Sequence, residues 1–411
     1  MEYGLIGEKL GHSFSKEVHN RLFDYNYELK EIPKDEIDSF FKQKDFKAIN
    51  VTIPYKQTVI PYLDFISDIA KEIGAVNTVV NKNGKLYGYN TDFLGLKALI
   101  EKNNIAIKGK KVLILGSGGT SKTALAVAKS FEAKEVYVVS RNASEGTITY
   151  SQALENHTNA QVIINTTPCG MYPNINDSAL DISKFNRLEG VVDAIYNPLR
   201  SKLVCDALNI GITAVGGLYM LVSQAAYAAE KFTDKSFNIT KVDEIYNNLL
   251  NLKQNIVLVG MPGSGKTTVG KILAEKLNFE FLDTDDIIVK NHGDITEIFN
   301  ISGEKVFRDY EAAAIKDVSA LQGKIIATGG GAILRQENVD LLKRNGKIYF
   351  LDRPLSDIVA TADRPLSSNR ADLEKRYNER YDEYLSCADK RIIVSDTAED
   401  VANTILEDIL K

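Results

Sequence analysis

The sequence contains no apolar stretch approaching the roughly 18 residues that a membrane-crossing helix needs, so no membrane is expected as a partner. Cysteine is scarce. Cys169, Cys205 and Cys387 are scattered, odd in number and form no C-x-x-C pair. That excludes a disulfide framework and a zinc site, and it suits a reducing compartment. Basic charge is not in excess: the formal net charge is −5 and the pI is near 5.6, which argues against nucleic acid as the partner. The opening segment "MEYGLIGEKLGHS" has no basic region followed by an apolar core, so no signal peptide is expected there and the expected location is cytoplasmic. Internal repeats, low-complexity tracts and Pro/Gly/Ser-rich linkers are also absent.

What is present is an ordinary globular composition, 44% hydrophobic and 26% charged, over 411 residues. That length exceeds one ordinary core and predicts two or three domains. Short β-branched runs alternate with helical patterns, which predicts an α/β architecture. Expected strands include 2–7, 48–53, 111–116, 135–140, 162–167 and 190–196, then a second series at 255–260, 279–284, 324–330, 347–352 and 391–396. The main boundary follows the polar helical stretch "KVDEIYNNLLNLKQ" (241–254), because a fresh strand–loop–helix unit starts at Asn255. A second boundary is expected near 100–108.

Two glycine loops stand out. In "KKVLILGSGGTSKTALAVAKS" (110–130), Gly116, Gly118 and Gly119 permit a tight turn and close approach of a pyrophosphate to a helix N-terminus. The spacing is G-x-G-G, so an ordinary strand-to-helix turn is the alternative. The next strand ends in Arg141, where an arginine suits the 2′-phosphate of NADP; a solvated surface arginine is the competing reading. The second loop, "GMPGSGKT" (260–267), fits G-x-x-x-x-G-K-[ST] between a strand and a helix. In such a loop the backbone of Gly263, Ser264 and Gly265 cradles phosphates, Lys266 reaches the β/γ oxygens, and the Thr267 hydroxyl ligates Mg²⁺, with Thr268 behind it.

Polar residues gather where each loop needs an acceptor. Before the first loop, Thr52, Lys56, Asn77 and Asp92 lie at or just beyond apolar runs, where α/β sheets place ligands. A lysine and an aspartate brought together can serve proton transfer opposite a hydride donor. Ser13 and Ser15 alternate on one short segment and can present both hydroxyls to a small carboxylate. After the second loop, Asp283 and Asp285 are two apart, hence expected on one face of an extended chain. One suits Mg²⁺ and the other a hydroxyl proton. Arg308 and Glu311, three apart on a helix, are expected neighbours. "GGGA" (329–332) is expected to offer a backbone-only surface for a ligand, while Arg364 and Arg380 suit a phosphate or an anionic acceptor. Surface salt bridging is the alternative for these arginines.

Residues 1–250 resemble shikimate dehydrogenase, through the serines before "HN", "NVTIPYK", "GAVNT", "NTD", "NTTPCGM" (165–171), "DAIYNPLRSKL" and "GGLYMLVSQAA". The resemblance implies that Lys56 and Asp92 are the catalytic pair and that Ser13, Ser15, Thr52, Asn77, Tyr196 and Gln224 hold the substrate. It places Gly217, Met220 and the Thr166 loop beside the nicotinamide, and Ser117 and Thr120 in the NADP turn. Residues 255–411 resemble shikimate kinase, through "DTD", "GEKVFRDYE", the triple glycine, "RPL" and "RYDEYLSCA". Here the resemblance implies that Asp285, Arg308, Gly330 and Arg380 bind shikimate, Asp283 assists Mg²⁺, and Arg364 meets the phosphates. The implied organisation is a substrate-binding lobe over 1–104, completed by helices at about 217–250, a Rossmann-like NADP domain over 105–216, and a P-loop kinase domain with a parallel sheet over 255–411.

The implied function is reduction of 3-dehydroshikimate by NADPH followed by ATP-dependent phosphorylation of shikimate, in a monomer or homodimer. The alternatives are a quinate/shikimate dehydrogenase fused to a kinase for another polyol, or a non-catalytic nucleotide sensor. Three positions depart from the family pattern. Lys16 replaces a usual proline, Ser140-Arg141-Asn142 replaces the usual phosphate clasp, and the lid "ATADRPLSSNRADL" is short and lacks an adenine-stacking arginine. His12 and His19 are read as structural neighbours of the serines.

Overall fold

The computed structural model describes residues 1–10, 14–142, 144–358, 370–395 and 397–410. The chain forms two compact units, Met1–Asn248 and Leu249–Lys411. The first unit holds two sheets. One is mixed and runs β2-β1-β3-β5-β6-β4, from β1 (Tyr3–Gly7), β2 (Tyr27–Glu31), β3 (Ala48–Val51), β4 (Phe65–Ile66), β5 (Thr78–Lys82) and β6 (Lys85–Tyr89). Only β5 pairs antiparallel with its neighbours, setting Asn50 opposite Thr78. The other sheet is parallel throughout and runs β12-β11-β10-β7-β8-β9, from β7 (Lys111–Leu115), β8 (Glu135–Ser140), β9 (Thr147–Thr149), β10 (Val162–Asn165), β11 (Gly190–Asp193) and β12 (Thr213–Val215).

Central strands such as β7 and β10 are continuous apolar runs because helices cover both faces. Edge strands escape a reading by hydrophobic pattern: in β2, "YELKE", Tyr27 alone is buried. The helix Thr91–Lys102 is capped by the Asn90 side chain, which accepts from Phe93 N at 3.1 Å. It packs against the helix Leu218–Thr233, and Gly95 lies at their contact. A methyl at Gly95 would fall 2.7 Å from the Met220 carbonyl oxygen and 2.8 Å from Gln224 Cβ. A mid-helix glycine costs about 1 kcal/mol, and here it lets the second helix come close enough to present Gln224 to the first.

The second unit carries one parallel sheet of five strands, ordered β14-β15-β13-β16-β17, from β13 (Asn255–Val259), β14 (Glu280–Asp283), β15 (Lys324–Ala327), β16 (Gly346–Asp352) and β17 (Lys390–Ile393). The phosphate loop follows the central strand β13 and leads into the helix Lys266–Leu277. The segment Ile295–Ser319 is two helices broken at Gly303, whose φ of 81° is the left-handed conformation that favours glycine. Among the described residues no helix is long and apolar enough to cross a membrane.

One expectation is corrected by the backbone. Asp283 and Asp285 do not share a strand face, because β14 ends at Asp283, which caps the helix Thr284–His292. The Asp283 carboxylate accepts from Asp285 N at 3.0 Å, so Asp285 projects from a helical first turn.

Candidate functional site

In the first unit a cavity of about 530 Å³ is lined by strand residues of the first sheet and by loops that follow strands of the second. It collects Ser15, Thr52, Lys56, Asn77, Asp92, Tyr196 and Gln224, together with Thr120, Thr166, Gly217 and Met220. At its centre Lys56 Nζ donates to Asp92 Oδ2 at 2.5 Å, with side-chain exposures of 16% and 11%. Asp92 sits in the first turn of its helix, where the N-terminal dipole favours a carboxylate.

Asn77 is oriented by its neighbours. Its Oδ1 accepts from Thr91 N at 2.7 Å and from Thr78 Oγ1 at 3.1 Å. Thr91 N can only donate, so the amide of Asn77 has one possible orientation, and its Nδ2 reaches Gln224 Oε1 at 3.5 Å. Behind this lies a buried polar chain, in which Asn50 donates to Thr78 Oγ1 at 3.1 Å and accepts from Tyr27 OH at 2.7 Å. His19 stacks on Tyr27 with ring centroids 3.9 Å apart, and full burial lowers its pKa to about 3. It is a neutral packing residue. Burial also raises the Tyr196 phenol.

At the far wall, Asp193 is buried and accepts from Ile195 N at 2.9 Å, Asn165 Nδ2 at 3.0 Å and Ser201 Oγ at 2.5 Å. Burial pushes it up to about 6. Asn165 in turn accepts from Thr167 N at 3.0 Å, so Asp193 ties the Thr166 loop to the Tyr196 loop. This hub was not singled out from sequence; its members look like ordinary strand-end residues until the parallel pairing of β10 with β11 brings them together.

The glycines divide by cause. Gly116 has φ of 102° and needs its conformation. Gly118 and Gly119 do not: φ at Gly118 is −82° and a methyl at either would meet no atom within 4 Å. Neither packing nor backbone requires these two, which leaves room for a ligand to approach. A methyl at Gly217 would collide with the Ala194 carbonyl, so that glycine serves the fold of the wall itself. Ser117 Oγ lies 3.4 Å from Ser140 Oγ, which sets the turn against the end of β8, where Arg141 is exposed.

In the second unit Lys266 is buried, and its Nζ donates to the carbonyls of Gly260 at 2.9 Å and Met261 at 3.0 Å. Gly263 and Gly265 hold φ of 83° and 96°, and Ser264 Oγ between them is buried with no partner among the described residues. Thr267 Oγ1 donates to Asp283 Oδ2 at 2.9 Å, while Thr268 follows on the same helix. Facing this loop, Arg308 Nη1 donates to Glu311 Oε2 at 2.7 Å and Nη2 to Glu304 Oε1 at 3.1 Å. Arg380 Nη1 and the Tyr384 hydroxyl both donate to the Gly330 carbonyl, at 3.0 and 2.5 Å.

Two buried carboxylate oxygens, Asp285 Oδ1 and Glu311 Oε1, have no partner among the described residues. Burial first, then the charges of Asp283 and Glu311, push Asp285 up to about 6; burial also raises Glu311. The triple glycine is required by packing inside the unit. Methyls at Gly329 would fall 2.6 Å from Glu311 Oε1 and 2.7 Å from Asp285 Oδ1, one at Gly330 would meet Pro262, and one at Gly331 the Arg308 guanidinium. Polar side chains of this unit therefore occupy the space beside Gly329 and Gly331, and Pro262 the space beside Gly330. Ser13, His12 and Arg364 lie outside the described residues.

A glycine turn on a parallel sheet beside a Lys–Asp cavity, followed by a P-loop unit, defines a dinucleotide-dependent oxidoreductase joined to a P-loop phosphotransferase. Residues 5–79 match the family model described as shikimate dehydrogenase substrate binding domain, and 262–410 match that of shikimate kinase. Shikimate dehydrogenase (NADP(+)) of Clostridium perfringens is 39% identical over 265 residues, covering 60% of this chain and 97% of that protein. That of Bacillus cereus is 34% identical over 266 residues, covering 59% and 96%. Among solved structures, a chorismate mutase/shikimate 5-dehydrogenase fusion from Clostridium acetobutylicum is 41% identical with a TM-score of 0.57, covering 60% of this chain and 96% of its own. Shikimate 5-dehydrogenase of Thermus thermophilus, in complex with NADP(H) and shikimate, is 26% identical with a TM-score of 0.55, covering 60% and 99%. The chain belongs to the shikimate dehydrogenase family and carries a shikimate kinase domain behind it, a bifunctional enzyme.

Proposed function

We propose that the first unit reduces 3-dehydroshikimate to shikimate with NADPH and that the second phosphorylates the shikimate 3-hydroxyl from ATP. The observation that carries the first half is the Lys56–Asp92 pair at 2.5 Å inside a cavity whose wall also holds Ser15, Thr52, Asn77, Tyr196 and Gln224. When bound, NADPH supplies a hydride to the ketone carbon. Lys56 Nζ gives a proton to the ketone oxygen, Asp92 holds the ammonium in place, and solvent restores the proton. The hydroxyl and amide groups orient the ring. Gly118 and Gly119 fit the pyrophosphate, Arg141 the 2′-phosphate, and Thr166, Gly217 and Met220 the nicotinamide end. Ser13 belongs to the same proposal by its place in the sequence.

Gly118 and Gly116 separate binding from folding. Gly118→Ala is expected to leave the melting temperature unchanged while raising KM for NADPH about tenfold. Gly116→Ala forces a side chain into positive φ and is expected to cost about 1–2 kcal/mol of stability. Equal NADPH affinity in Gly118→Ala and wild type would remove the turn from the cofactor site.

For the second half the donors fit their ligands. Thr267 Oγ1 and Asp283 Oδ2 are hard oxygen groups 2.9 Å apart at the end of the phosphate loop and would hold Mg²⁺, which neutralises phosphate charge when bound. Lys266 reaches the β/γ oxygens, and Arg364, by its place in the sequence, meets the transferring phosphate. Arg308, Arg380 and the Gly330 backbone seat the ring acid. The unpartnered Asp285 Oδ1 takes the hydroxyl proton as the oxygen attacks phosphorus and ADP leaves. Because Asp285 must be ionised to act, and is pushed up to about 6, phosphorylation kcat/KM is expected to fall tenfold per pH unit below that value. A profile flat between about pH 5 and 7 would exclude Asp285 as the base.

The test of the whole reading supplies 3-dehydroshikimate, NADPH, ATP and Mg²⁺ to the full chain and follows NADPH loss and ADP release. NADPH must disappear, and ADP must form only after shikimate does. The reading includes a cytoplasmic enzyme, supported by the three cysteines forming no disulfide among the described residues, acting as a monomer or homodimer.

A further inference from the structure

The dehydrogenase cavity holds an unbalanced charge. Of its lining residues, those charged near neutrality are Lys9, Lys56 and Asp92, and the last two cancel each other at 2.5 Å. Lys9 makes no hydrogen bond or ion pair among the described residues. Two carboxylates flank this segment without lining the cavity: Glu8 pairs with Lys34 at 3.8 Å, and Glu31 Oε1 accepts from Leu10 N at 2.7 Å. Lys9 follows the C-terminal end of β1, and the buried Leu10 anchors the segment beside it. It therefore opens on the same cavity as Ser15, and the described lining residues carry a net charge of one positive unit.

We propose that Lys9 is a specificity-determining residue that recognises the carboxylate of the ring acid, an inference that rests on the dehydrogenase reading above. A ring carboxylate is ionised at neutral pH, and hydroxyls alone bind it without neutralising its charge. An unpaired ammonium on the cavity wall supplies the missing charge and selects acids over neutral analogues. Because Lys9 is exposed, the contribution is moderate and weakens with salt.

The experiment compares wild type, Lys9→Met and Lys9→Arg on shikimate and on its methyl ester, by direct binding and by steady-state oxidation with NADP. Lys9→Met is expected to raise Kd and KM for shikimate about three- to tenfold, with the effect on KM rather than kcat. The ester should bind both proteins equally, and Lys9→Arg should restore most of the affinity for the acid. An equal loss on acid and ester, or no loss on the acid, overturns the proposal while leaving the dehydrogenase reading standing. A wild-type chain that does not bind shikimate sinks that reading, and this proposal with it.

Discussion

Lys56→Ala will abolish NADPH oxidation by 3-dehydroshikimate and leave phosphorylation of added shikimate intact; Lys266→Ala will do the reverse. The first loss is expected to be about 10²–10⁴-fold, the usual contribution of a positioned proton donor. Asp92 does not replace the donor, since an ionised carboxylate only accepts hydrogen bonds. Its charge keeps support from the helix N-terminus, so the variant should still fold. In the other direction, Lys266 is buried on two loop carbonyls, and its removal takes away the cation proposed to meet the phosphate oxygens. Each unit has its own apolar core, built on β7 and β10 in one case and on β13 and β16 in the other, so damage at one site should stay there. The check is a pair of separate assays on each purified, folded variant. Loss of both activities in either variant would mean that the sites do not work independently.

Arg308→Ala will unfold the kinase unit more readily than loss of its proposed shikimate contact would suggest. Arg308 is 10% exposed and neutralises Glu311, which is 1% exposed. Without it, Glu311 and Asp285 remain as buried carboxylates around Gly329, each already with one oxygen unpartnered. Breaking one side of a buried pair costs about 3–5 kcal/mol. Arg308→Ala/Glu311→Ala should recover part of that stability, since it removes the stranded charge, but should not recover shikimate binding. Thermal melts and shikimate titrations of both variants separate the two effects. A single variant as stable as wild type would show that Glu311 does not depend on Arg308 for its charge balance.

The difference between these sites also marks how far a sequence can be read. Lys266 and Thr267 were legible because phosphate chemistry demands a fixed local spacing, and the same holds for the turn at Gly116. Lys56 and Asp92 were legible as strand-end polar residues, although 36 residues separate them. Edge strands such as β2 and β12 were not, since one buried side chain gives no pattern. The spacing of Asp283 and Asp285 misled, because a helix begins between them and period two applies only to extended chain.

The sequence by itself determined the order of the elements, the two glycine loops and the kinds of group available to each site, since propensity and motif spacing are local. Only the tertiary structure decided which groups meet. Gln224 reaches Asn77 across 147 residues because Gly95 lets two helices close, and Asp193 joins two loops because β10 pairs with β11. Gly329 and Gly331 admit Glu311, Asp285 and Arg308, and the charge of Lys9 matters only because the charges beside it cancel. Contacts, burial and net charge of a cavity belong to the packed chain, and no local rule of spacing carries them.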